Sequence, residues 1–296
     1  MANNIALAKV YTDLLDEVYQ QSALTAVLES DATLARQGAN ANEIVIPKLS
    51  MDGLADYNRN SGYVNGDVEL TWETVKFNYE RGRAFTVDDM DNEETQNTAF
   101  GRLAGEFIRA KVVPELDAFR FATYASTVGA GTAEGTLATG ANVIAALRKA
   151  TSDMDEAEVP MEDRHLFITP TLLGLVQDMD TTKSREVLSR FASITSVPQT
   201  RFYSAIELLD GKTSGEKQGG FRKAFSAVDL NFEIIHKPAT LQFTKHAVPK
   251  IIAPAQNPDA DAWKYGYRNY GLCDVYENKT AGIYVHMKPA IKGEED

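Results

Sequence analysis

A chain of 296 residues and 32.5 kDa can bury a core without disulfides or metals, and 44% apolar with 24% charged residues excludes wholesale disorder and a fibrous repeat. The 30 Lys and Arg against 42 Asp and Glu leave a net charge of −12, which repels phosphate backbones and argues against a dedicated DNA- or RNA-grasping domain. The single Cys273 can neither close an internal disulfide nor complete a cysteine-based zinc set, so it reads as a small buried hydrophobe in a reducing compartment.

Residues 1–10 lack the charged flank and apolar run of a secretory signal, and no stretch approaches the roughly 18 consecutive apolar residues of a spanning helix, so no membrane partner is expected. Leu7, Val10, Leu14 and Val18 form one helical stripe, predicting an amphipathic helix over 5–20. Small polar residues at 35–42 then read as a linker, which makes the first segment an arm.

From Glu43 to Asp88 the helical period gives way to an extended ribbon. Val68, Leu70 and Trp72 share one parity, whereas Val75, Phe77, Tyr79, Phe85 and Val87 share the other. The phase slips near Glu73 or Thr74, through a bulge or a crossing between packing environments. The tip at 56–66 carries Tyr57, Arg59 and Tyr63 among turn residues. A two-stranded ribbon is marginal alone in water, so this one is expected to be covered by a neighbouring subunit. Arg81 and Arg83, with Lys48 and Arg59 on the other limb, either lie on a solvated strand face or pair with carboxylates of an adjacent copy, such as those at 88–94.

Asp91 with Glu94 three residues on predicts a capped helix start, with Asn92 and Glu93 between them. Its stripe continues through Phe100, Leu103, Phe107 and Ile108, and Pro114 should kink it before Leu116 and Phe119 resume the period. A helix near 141–156, a strand at 165–169 and a helix at 170–179 follow, then a polar segment at 180–200 and a turn-rich loop at 210–220. Short strands at 232–236, 240–246, 264–270 and 283–287 complete an α+β fold.

Motifs for chemistry fail on spacing. Gly211-Lys212-Thr213 ends like a phosphate loop, but the required earlier glycine is Ile206. Gly129, Gly131 and Gly135 do not fit a dinucleotide turn, the acids at 88–94 lack the glycine and terminal glutamate of a calcium loop, and the four histidines form no local metal pair. No Gly-x-Ser-x-Gly elbow is present. The sequence offers no catalytic residue, no metal ligand and no cofactor site.

Several separated blocks resemble the major capsid proteins of tailed bacteriophages, the HK97-like fold. They are Val45-Ile46-Pro47, residues 53–59, Gly62-Tyr63, Trp72-Glu73-Thr74, residues 81–88, residues 90–94 and residues 113–118. Farther on, residues 240–252 with Pro254, 263–270, 275–279 and 282–284 match the family's closing section. The resemblance implies an N-arm at 1–42, an E-loop at 43–88, a peripheral domain at 89–135 and 240–270 with a long spine helix, an α/β axial domain at 136–239 and 271–290, and a C-terminal tail at 291–296.

Its implied function is architectural, with pentamers and hexamers tiling an icosahedral shell around packaged double-stranded DNA held without sequence-specific contacts. Because the helix preceding the E-loop begins almost at Met1, a separate scaffolding protein is expected, along with a portal, assembly in the host cytoplasm and a final place in the virion. Joints between subunits are expected to be non-covalent. The subunit-interface residues implied are Lys48, Tyr57, Arg59, Tyr63, Trp72, Arg81, Arg83, Asp91, Glu93 and Glu94. Alternatives are the shell of an encapsulin-like cellular nanocompartment and a soluble α+β hydrolase.

Overall fold

The computed structural model describes residues 23–30, 36–37, 42–60, 62–94, 98–179 and 181–290. The expected helix at 5–20, most of the linker and the tail at 291–296 lie outside them. The strands β1 (Arg36–Gln37), β2 (Glu43–Met51) and β3 (Val68–Lys76) form a three-stranded sheet in that order, with β2 and β3 in unbroken antiparallel register from Glu43↔Lys76 to Met51↔Val68. The chain then changes sheets. β4 (Tyr79–Asp88) does not extend the ribbon but pairs with a later strand of the body. The parity slip near Glu73 falls earlier, inside β3, where the register with β2 is unbroken: Val75 shares a face with Ile44 and Ile46, and Val68, Leu70 and Trp72 take the other face, so the slip is a crossing between packing environments and not a bulge.

Helix α1 (Asp89–Glu94) starts two residues before the predicted Asp91, because the Asp88 carboxylate accepts from the Met90 N–H at 3.0 Å and caps the turn. Helix α2 (Thr98–Phe107), a π segment (Ile108–Val112) and helix α3 (Val113–Ala125) form one nearly continuous beam, about 42 Å long at 1.5 Å per residue. The break precedes Pro114. Val113 donates its N–H to the Ile108 carbonyl, five residues back, and this wider turn accommodates a ring with no N–H to give.

α4 (Gly140–Glu156), β6 (Arg164–Ile168) and α5 (Pro170–Asp178) follow the expected order, but they are preceded by a strand the sequence reading missed, β5 (Gly131–Glu134), which pairs in parallel with the last strand of the chain. The polar segment at 180–200 is more structured than its composition suggests. It holds α6 (Thr182–Leu188), with a reciprocal Thr181/Ser184 capping box, and β7 (Ser193–Ser196). A small hairpin of β8 (Ile206–Leu208) and β9 (Phe221–Lys223) brackets the turn-rich loop. The remaining strands are β10 (Leu230–His236), β11 (Thr240–Ile252), β12 (Ala262–Val275) and β13 (Ile283–Met287). β11 and β12 pair along nearly their whole lengths, well beyond the short strands expected.

Four cores result. The five-stranded sheet β5-β13-β10-β6-β7 packs one face on α4 to α6, through Val143, Leu147, Leu172, Phe232 and Ile234. Its other face meets α3 through Phe121, Tyr124, Phe167 and Val285. The three-stranded sheet β11-β12-β4 packs on the beam through Tyr79, Ile108, Leu116 and Tyr265. The fourth cluster holds the base of the ribbon, where Ile44, Ile46 and Val75 meet Leu241, Phe243 and Leu272.

Candidate intersubunit surface

The ribbon changes character along its length. At its base Ile44 and Ile46 are 8% and 4% exposed, while farther out Met51 and Leu70 are 63% and 54% exposed. Leu49, Leu54, Val64, Val68 and Trp72 are also open to solvent. Val68, Leu70 and Trp72 thus lie on the face of the ribbon opposite Val75, Ile44 and Ile46, the face its own body covers. Isolated exposed hydrophobes are ordinary, whereas a run of them on a ribbon is an uncovered apolar surface and a candidate for contact.

The tip is built from its own side chains. Asn58 and Gly62 exchange backbone hydrogen bonds at 2.7 and 3.3 Å, with Gly62 at φ +80, and the Asn58 carboxamide oxygen accepts from the Asn60 N–H at 2.8 Å. This turn sets the Tyr57 and Tyr63 rings 4.8 Å apart, both exposed, and Asp52 accepts from the Asp67 N–H at 2.8 Å to close the neck. Arg59 is exposed on the same tip. Lys48, midway along β2, donates to Glu277 at 2.9 Å, and that bond holds its ammonium above its ordinary pKa.

Arg81 and Arg83 sit elsewhere. Both belong to β4, and their guanidinium groups are engaged inside the chain. Arg81 donates to Glu115 at 2.7 Å and to the carbonyls of Leu209 and Gly220 at 2.8 and 3.1 Å. Arg83 donates to the carbonyls of Gln218 and Lys217 at 2.8 and 3.0 Å. Together they fasten the 209–220 loop to β4. That loop is also braced within itself: the Thr213 hydroxyl and the Lys212 and Thr213 N–H groups hold the Asp210 carboxyl down to about 2. Within the chain, the fold thus brings partners to Arg81 and Arg83 from far along the sequence.

Asp91 is exposed on α1, and the side chains of Glu93 and Glu94 lie outside the description. The ten nominated residues therefore fall into three groups, of which Lys48, Tyr57, Arg59, Tyr63 and Trp72 share the ribbon. Sequence reasoning did not nominate Leu49, Met51, Leu54, Val64, Val68 and Leu70, although the parity of Val68, Leu70 and Trp72 was the signal that could have found part of them.

No protein-family model matches this sequence, and no curated protein matches it either. Solved structures do match. A chain from Gordonia phage Cozz aligns at TM-score 0.58 with 14% identity, covering 91% of this chain and 87% of that one. The capsid structure of the cyanophage P-SCSP1u gives 0.55 with 13% identity over 86% and 85%. A virus-like particle from Pyrococcus furiosus gives 0.56 with 11% identity over 95% and 99%. At these identities the likeness is one of fold, and the chain has the fold of phage capsid subunits. This is the HK97-like class that its sequence blocks resemble.

Proposed function

We propose that this chain is the shell subunit of a tailed-phage capsid, a structural protein without catalytic activity. The observation that carries this reading is the distal ribbon, a run of large hydrophobes that its own chain leaves uncovered on a fold shared with capsid subunits. In this reading residues 43–76 are the E-loop, lying over the body of a neighbour. The beam and the β11-β12-β4 sheet form the peripheral domain, and the five-stranded sheet with α4 to α6 forms the axial domain. Heterologous contacts repeated around an axis close rings, here pentamers and hexamers, and rings close shells.

Lys48, Tyr57, Arg59, Tyr63 and Trp72 take part in the joint, with Asp91, Glu93 and Glu94 offering carboxylates to it. The net charge of −12 suits a container whose wall does not grip packaged double-stranded DNA. A separate scaffolding protein and a portal complete the assembly, formed in the host cytoplasm and ending in the virion.

The second reading is the shell of a cellular nanocompartment, favoured by the near-complete mutual coverage with the Pyrococcus furiosus virus-like particle. Electron microscopy of particles formed by the expressed chain, alone and with its neighbouring genes, separates the two. DNA-filled shells with a portal vertex support the phage reading, and small closed shells around protein cargo support the other. A stable compact monomer by light scattering, with residues 43–76 resistant to protease, would defeat both.

A further inference from the structure

The five-stranded sheet ends in a cavity of about 680 Å³ that a purely architectural role leaves unused. β5, β13, β6 and β7 all run in one direction, with β10 antiparallel between β13 and β6. The cavity lies beyond the C-terminal ends of those four strands. Thr136 and Leu137 follow β5, Thr169 follows β6, Gln199 follows β7 and Lys288 follows β13. Asn231 reaches it from β10, whose N-terminal end lies at the same edge. This edge of an α/β sheet is where helix N-termini converge and ligand crevices form.

The wall is equipped for an anion. Thr169 is the N-cap of α5, yet its hydroxyl makes no cap bond. The residue is 6% exposed and lines the cavity; its N–H donates to the Asn231 carbonyl at 3.2 Å, while its hydroxyl has no partner among the described residues. A threonine at this position ordinarily accepts from the second or third helical N–H. Here the Thr171 and Leu172 N–H groups are left unmet by the cap, and Pro170 has none to give. The hydroxyl of a residue more than nine-tenths buried, two main-chain donors and the positive end of a helix dipole therefore border one volume.

Lys288 adds a charge. It donates to Gln199 Oε1 at 2.8 Å and stands 3.4 Å from Asp229, whose shorter ion pair, 2.7 Å, is with Lys223. Asp229 is thus the carboxylate beside this ammonium, and Glu134, at the end of β5, accepts from the Ala290 N–H at 3.2 Å. Leu137, Leu172 and Pro289 supply an apolar side.

We propose that this cavity binds a small organic phosphate. Its phosphoryl oxygens take the Thr169 hydroxyl, the Thr171 and Leu172 N–H groups and the Lys288 ammonium, and its apolar body lies against Leu137 and Pro289. The proposal is independent of whether the chain builds shells.

Calorimetric titration of the full chain at fixed ionic strength, with phenyl phosphate, inorganic phosphate and phenol, tests it. One phenyl phosphate per chain is expected, bound more tightly than inorganic phosphate, with no saturable heat from phenol. Thr169→Val keeps the shape and removes the hydroxyl, and should weaken phenyl phosphate by about tenfold, as should Lys288→Gln. Unliganded melting of both variants controls for folding, and phosphorus NMR line broadening gives a second readout of binding. Absence of saturable phenyl phosphate binding, phenol binding as tightly as its phosphate, or unchanged affinity in both variants would overturn the assignment.

Discussion

The Thr25 hydroxyl donates to Asp117 Oδ1 at 2.7 Å, and the Thr25 and Leu24 N–H groups donate to the same carboxylate at 3.2 Å each. Asp117 is fully buried on α3, and Arg201 closes the other side at 3.1 Å while Arg120 donates to the Thr25 hydroxyl oxygen at 2.9 Å. The cluster ties the segment at 23–30 to the beam and to the residues after β7. Burial pushes the Asp117 carboxyl up, and the Thr25 and Leu24 bonds pull it back only in part.

Asp117→Ala should cost about 3–5 kcal/mol, because it leaves Arg201 and the Thr25 donors buried or half-buried without their acceptor. Urea unfolding measures the loss, and Asp117→Asn, which keeps one acceptor oxygen, should lose less. Equal stability of the alanine variant and the parent would contradict the role given to this carboxylate.

Glu233 is the opposite case. It lies on central β10 between Phe167 and Val285, facing α3, fully buried with no partner among the described residues for either carboxyl oxygen. Burial holds its carboxyl well above the usual range, so the folded state keeps the proton after the unfolded chain has lost it. The contribution of this group to stability is therefore full below its unfolded pKa and declines as pH rises, by up to about 1.4 kcal/mol per pH unit, until the folded pKa is reached. Glu233→Gln, which cannot ionise, should match the parent near pH 4 and exceed it at pH 7 in denaturant titrations at the two pH values. A parent advantage at pH 7 would contradict the reading.

Arg81 serves two structures at once, the Glu115 carboxylate on the beam and the carbonyls at both ends of the 209–220 loop. Arg81→Ala should destabilise the chain by about 2–4 kcal/mol and expose the loop to limited proteolysis before global unfolding. If cleavage sites stay the same as in the parent, the loop does not depend on this clamp.

Charges placed on the distal ribbon should separate folding from assembly. Leu54 and Val64 are exposed and outside the four cores, so Leu54→Glu with Val64→Glu should change the stability of the subunit by less than about 0.5 kcal/mol each. Particle yield in sedimentation should nevertheless fall sharply. Normal shells from the double variant would remove the ribbon from the joint.

Much of this molecule was legible in advance because local chemistry decided it. Pro170 opened a helix as its fixed φ allows, the stripe from Leu103 to Phe119 became the beam, and Ile283–Met287 formed a strand with the predicted bounds. The segment at 180–200 was less legible, since α6 depends on a Thr181/Ser184 capping box rather than on an apolar stripe. The polar pairings of Arg81, Arg83 and Asp117 were beyond reach, for each partner lies more than 30 residues away along the chain.

Alternation of side chains by itself determined that residues 43–88 are extended and that the phase breaks near their middle. Only the tertiary structure decided that the apolar side chains change faces at that break while the chain changes sheets after Lys76, with Val68–Lys76 left on a projecting ribbon and Tyr79–Asp88 drawn into the body against β12. The reason is physical. A period of two states which face of a strand is apolar, but the choice of neighbouring strand rests on backbone groups that every residue carries alike.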